Sequence, residues 1–144
     1  MTNLATLLQF GLEAMVEAID RALNSAGYGE IKPSHGVVFE NIRPGGSRLS
    51  EMAGRAGMSK QLMQYLVNPL VDAGYLERRP DPSDGRGKLL LLTSKGKRAV
   101  RIAEEAIAAT EREWATRFDP DQVAAVRSVL ERAGQARKTT EIAG

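Results

Sequence analysis

Within residues 44–74 two helical segments are separated by almost no chain, and that joint restricts the fold more than any other feature. Pro44-Gly45-Gly46 is a hard break ahead of them. The first segment is expected to start with Ser50 as N-cap, with Glu51 in the first turn, where the helix dipole favours a carboxylate. Gly57 is placed to take the left-handed conformation that ends a helix. Met58 then bridges to Ser59, a second expected cap, which opens a longer helix reaching Gly74. A short helix, a tight glycine turn and a long helix make a helix-turn-helix shape.

The longer helix has two unlike faces. At about 100° per residue, Ser59, Met63, Leu66, Val67 and Leu70 share one side. Gln61, Gln64, Tyr65 and Asn68 lie opposite, with Lys60 at the flank. A solvated helix face more often carries Glu and Lys, whereas this one is polar and uncharged. Gln and Asn offer a donor and an acceptor together, as reading adenine N6 and N7 in the major groove requires. A generic polar face is the alternative. Leu62 and Pro69 fit neither side, and Pro69 is predicted to bend or loosen the last turns by removing a backbone hydrogen bond.

Two strand candidates follow, Tyr75–Arg79 and Lys88–Leu92, around the eight-residue connection Pro80–Gly87. Its turn formers predict a long β-hairpin. A short strand at Arg48-Leu49 would add a third strand. The hairpin tip places Arg86 beside Asp81 and Asp84. A lone loop arginine is usually just solvated. One held by a neighbouring Asp is aimed in advance, and narrow minor grooves attract such groups. Arg78, Arg79 and Lys88 at the hairpin base suit phosphates, which position a protein without reading sequence.

The flanks are helical. Leu8, Leu12, Met15, Ile19 and Leu23 recur at helical spacing from Leu4 to about Ala26, and Gly27-Tyr28-Gly29 stops that run. Pro33 suits the first turn of a second, shorter helix with Val37, Val38, Phe39 and Ile42. Thr93 is expected to cap a long, alanine-rich helix through Trp114 to Phe118. Asp119-Pro120 opens a last helix that is expected to fade after Ala133 into a polar tail. The expected fold is mainly α with a small β-hairpin, in the order α-α-α-α-β-β-α-α.

Charge follows the same division. Residues 43–98 hold eleven basic side chains against five acidic, while residues 1–42 hold two against five and residues 99–144 seven against eight. A basic middle between acidic ends is what a DNA face on a near-neutral body looks like. The chain has no cysteine and one histidine, His35, so thiol chemistry is excluded and no metal site or other cofactor is expected. No nucleophile–base constellation or glycine-rich phosphate loop supports an enzyme. Neither a membrane-length apolar run nor an export signal is visible, so a cytoplasmic protein is expected.

Residues from about Pro33 to Phe118 resemble the MarR (multiple antibiotic resistance regulator) family of bacterial winged-helix transcription regulators. The matching segments are Leu49-Ser50-Glu51-Met52-Ala53, Gly57-Met58-Ser59-Lys60-Gln61, Leu66-Val67, Leu70 and Gly74-Tyr75-Leu76-Glu77-Arg78-Arg79. Asp81-Pro82-Ser83-Asp84-Gly85-Arg86 and Leu92-Thr93 followed by Gly96 complete them, and the Asp-x-x-Asp-Gly-Arg wing is the specific part. The resemblance implies a single domain over 1–144. Residues 31–98 would form the winged helix-turn-helix lobe, and 1–30 with 99–144 the dimerisation helices of an obligate homodimer. It implies a recognition helix at 59–73 and a wing Arg86 oriented by Asp84. The expected partner is duplex DNA with a palindromic operator, contacted by Ser59, Lys60, Gln61, Gln64, Tyr65, Asn68, Arg79, Asp84, Arg86 and Lys88. Pro69 and Tyr65 depart from the family pattern, which has a polar helix former and often a basic residue there. Many family members also sense small aromatic acids, so a repressor released by a small ligand is expected, with the same DNA-binding dimer controlled by abundance or a protein partner, or a protein-interaction module, as the alternatives. Met15, His35, Phe39 and Trp114 are candidate lining residues by type; a plain core or interface role is the alternative for Met15, Phe39 and Trp114, and a surface or capping role for His35.

Overall fold

The computed structural model describes the backbone of residues 1–143 and the side chains of residues 1–137. Helix α1 spans Leu4–Ser25, and the Asn3 side chain caps it by accepting from the Thr6 N–H at 2.9 Å. A single 3-10 turn, Pro33–His35, leads into α2, Gly36–Asn41. Helices α3 (Leu49–Ala56) and α4 (Lys60–Asp72) form the helix-turn-helix. Strands β1 (Leu76–Asp81) and β2 (Asp84–Leu92) form an antiparallel hairpin. Helices α5 (Ser94–Arg117) and α6 (Pro120–Ala143) follow. The chain divides into two compact units, residues 1–106 and 107–144.

The core of the first unit is built where the periodicity puts it. Met63, Val67 and Leu70 on α4 are buried, together with Val38, Met52, Tyr75 and Leu76. Gly57 ends α3 at φ +65°, the left-handed conformation its position demands. Ser59 caps α4, its hydroxyl accepting from the Leu62 N–H at 3.1 Å. Thr93 likewise caps α5 by accepting from the Gly96 N–H. In the second unit Arg127 pairs with Glu111, and with Glu131 at 3.5 Å.

Several expectations are corrected. The N-cap of α3 is Arg48 and not Ser50, because Leu49 already has helical backbone, and no side chain caps that end. Arg48-Leu49 is therefore no strand. Ser47 makes a single backbone bridge to the hairpin, exchanging hydrogen bonds with Leu90 at 3.0 and 2.9 Å. The connection of eight residues shrinks to Pro82-Ser83, since both strands run on into the turn formers. Helix α4, by contrast, runs through Pro69 to Asp72 much as expected, and the Ala73 N–H donates to the Pro69 carbonyl. Helix α6 continues well beyond Ala133, to Ala143. Among the described residues no helix is long and apolar enough to cross a membrane.

Candidate nucleic-acid interface

On α4 the side opposite the core is open. Lys60, Gln61, Tyr65 and Asn68 are exposed and Gln64 is half-buried. Tyr65 is 74% accessible, too open for a core or staple role. The Gln64 amide donates to the Asn68 side-chain oxygen, and Arg78 Nη2 donates to the same oxygen at 2.8 Å. Asn68 thus enters any base contact with its acceptor already shared, and the base of the hairpin is tied to the polar side of α4. Arg78 serves this link, although the residue type alone suggested a phosphate contact. Arg79 lies 2.7 Å from Glu77 on its own strand. This exposed ion pair is a weak tie that a phosphate can compete with.

The hairpin has an uneven register. Pairing runs from Leu76 opposite Leu92 to Pro80 opposite Lys88, then shifts so that Asp81 faces Asp84. Gly85, Arg86 and Gly87 therefore have no cross-strand partner, and Arg86 sits in the middle of a bulge between two glycines. Bulges re-aim side chains. Among the described residues no hydrogen bond or ion pair engages the guanidinium of Arg86 or the ammonium of Lys88. Both are exposed cations.

The expected aiming of the Arg86 guanidinium by Asp84 is corrected. Asp84 Oδ1 accepts from the Arg86 backbone N–H at 3.1 Å, and its Oδ2 lies 3.5 Å from Arg48 Nη2. Asp84 shapes the backbone under Arg86 and leaves the side chain loose. Asp81 is the buried carboxylate of the tip. Its Oδ1 accepts from the Ser83 N–H at 2.9 Å and hydroxyl at 2.8 Å, and its Oδ2 from Arg48 Nε at 2.7 Å. The Ser83 bonds first, then Arg48, hold the Asp81 carboxyl below the usual range. Sequence reasoning missed Arg48, whose partner lies 33 residues away. The Asp-Pro-Ser run does carry the signal of the local half, an Asx turn.

The four candidate ligand residues are not alike. His35 is buried, and its Nδ1 accepts from the Lys32 N–H at 2.9 Å, a structural use. Phe39 packs against the core, and Met15 is half-buried on α1. Trp114 is half-buried on the part of α5 that belongs to the second unit. Among the described residues no group of three or more His, Cys, Asp or Glu is arranged to hold a metal ion.

The sequence profile of the MarR family matches residues 32–87, from the 3-10 turn to the wing bulge. The HTH-type transcriptional regulator PetP of Rhodobacter capsulatus is 30% identical over 131 residues, which cover 86% of this chain and 78% of PetP. The chain belongs to the MarR family. It is a DNA-binding transcriptional regulator and not an enzyme. Two solved structures share the fold. The transcriptional repressor CouR, bound to a 23-mer DNA duplex, superposes with a TM-score of 0.68 at 21% identity, covering 92% of each chain. The Mycobacterium tuberculosis MarR family protein Rv2887, in complex with p-aminosalicylic acid, superposes with a TM-score of 0.66 at 23% identity, covering 92% of this chain and 99% of that one.

Proposed function

We propose that this MarR-family regulator is a homodimeric repressor that reads a roughly palindromic operator and is released by a small aromatic acid. One observation carries the DNA-reading part. An uncharged polar helix face and an unpartnered arginine in a glycine-flanked bulge belong to one lobe, and the Arg78–Asn68 hydrogen bond joins their supports. The first suits base edges in the major groove, the second the shape and potential of a minor groove. Lys60, Arg79 and Lys88 supply phosphate contacts around them.

The dimer rests on apolar surface. Leu4, Leu7, Phe10 and Leu12 of α1, and Val126, Val129 and Leu130 of α6, are exposed large hydrophobics. Surface of that kind on terminal helices suits a second copy. Release by an aromatic acid is supported by Rv2887, a family protein crystallised with p-aminosalicylic acid. The site of action would be the bacterial cytoplasm, where the nucleoid lies.

The test uses a duplex selected from a random pool, titrated at about 50 and 200 mM salt, with and without p-aminosalicylic acid. Steep loss of affinity with salt, a footprint of two half-sites about one helical turn apart and release by the acid are expected. Binding indifferent to salt would overturn the DNA reading, and binding indifferent to the acid would overturn its use as the releasing ligand. A folded monomer at micromolar concentration in sedimentation would overturn the dimer.

A further inference from the structure

A hairpin of two strands has little rigidity of its own, so the direction of this wing must come from what grips it. Two consecutive residues ahead of α3 do so at two heights. Ser47 holds β2 near its base through the paired backbone bonds with Leu90. Arg48 holds the far end of β1, its Nε donating to Asp81 Oδ2 at 2.7 Å while Nη2 stands 2.5 Å from the same oxygen. Asp81, only 7% accessible, has its other oxygen occupied by Ser83. The Arg48 guanidinium also passes Gly87, where a Cβ would stand 3.4 Å from Nη2, so it lies beside the residue that follows Arg86. Asp84 at 3.5 Å and Glu51 at 4.0 Å complete a ring of three carboxylates around this one cation.

We propose that Arg48 is a positioning residue for DNA binding: through buried Asp81 it fixes the wing against the start of α3, so that the bulge presents Arg86 to the duplex. This rests on the DNA reading proposed above. The surroundings separate Arg48 from the phosphate-binding cations. Its charge is compensated by three carboxylates, whereas Arg86 and Lys88 are engaged by none among the described residues. The guanidinium brings Nε and Nη2 to Asp81 while Nη2 also faces Asp84, a fixed two-sided geometry that the point charge of an ammonium reproduces only in part.

The test is a double-mutant cycle on the full chain, titrated against a selected duplex with circular dichroism and thermal unfolding as folding controls. Arg48→Ala is expected to weaken binding about tenfold in the parent and to add little in an Arg86→Ala background. Arg48→Lys should recover part of the loss. Asp81→Asn, which keeps the side chain's shape, should show the same coupling to Arg86 and covers the case in which Arg48→Ala folds poorly. A purely structural role would lower the unfolding temperature without making the binding loss depend on Arg86. Losses that simply add would mean that Arg48 acts on DNA independently of the wing, and would overturn the proposal. Arg86→Ala weakening binding while Arg48→Ala and Asp81→Asn leave it intact would overturn the positioning role alone. Full binding by Arg86→Ala would overturn the wing reading and the proposal with it.

Discussion

Gly96 in the first turn of α5 lies against the backbone of Tyr75, at a spot where a Cβ would stand 2.1 Å from the Tyr75 carbonyl oxygen. That carbonyl also accepts from the Thr93 N–H at 3.1 Å, so it cannot move aside freely. The contact locks the start of α5 to the residue ahead of β1 and explains a glycine that is otherwise a poor helix former. Gly96→Ala is therefore expected to destabilise the fold by about 3 kcal/mol or more, since the clash is with backbone and not with a flexible side chain. Thermal unfolding of the variant checks this, and an unchanged midpoint would contradict the contact.

Tyr75 is fully buried, and its hydroxyl donates to Glu30 Oε2 at 2.6 Å. Burial, then the bond to Glu30, pushes the phenol up, and the same bond holds the Glu30 carboxyl below its ordinary value. A carboxylate with a lowered folded value contributes stability above its unfolded value and loses it as pH falls through the folded one. Tyr75→Phe should thus lower the unfolding temperature at neutral pH. The gap between parent and variant should close as pH falls from roughly 5 toward 3, and a gap that persists would mean the bond is not to a charged Glu30.

His35 titrates in the opposite sense to a paired histidine. Burial, then the nearby Lys32 charge, holds its imidazole below the ordinary value, and Nδ1 must stay unprotonated to accept from Lys32 N–H. A histidine lowered in the folded state stabilises above its unfolded value and weakens the fold as pH falls below it. The parent should lose stability between about pH 7 and 5, and His35→Asn, which keeps an acceptor near the Nδ1 position, should lose less. Equal pH slopes in the two proteins would remove His35 from this role.

The legible parts of the molecule are those set by near neighbours. Gly57, Ser59, Thr93 and the Met63–Val67–Leu70 face act within a turn or two of chain, and each has the expected place. The wing tip is the opposite case. Asp84 and Arg86 are adjacent enough to suggest an ion pair, yet the cation that meets Asp84 is Arg48, brought there by the Ser47–Leu90 bridge. Spacing along the chain cannot reveal a partner more than thirty residues away. The bulge was hidden for a related reason: three residues without cross-strand partners read as a longer loop until the register of β1 against β2 is known.

The proposed division of labour, in which α4 reads bases and the wing reads groove shape, is tested most directly by titration of side-chain deletions on operator and scrambled duplex. Gln61→Ala and Gln64→Ala should each cost about 1–3 kcal/mol on the operator and narrow the operator-to-scrambled ratio. Gln64→Ala also releases Asn68 from one donor. Arg86→Ala should weaken binding to both duplexes, because its contact follows shape and potential more than sequence. All three side chains lie off the core, so circular dichroism should show folded protein throughout. Unequal patterns of loss, ratio for the glutamines and overall affinity for Arg86, are the predicted result. Arg86→Ala binding as tightly as the parent, with an unchanged ratio in both glutamine variants, would contradict the account.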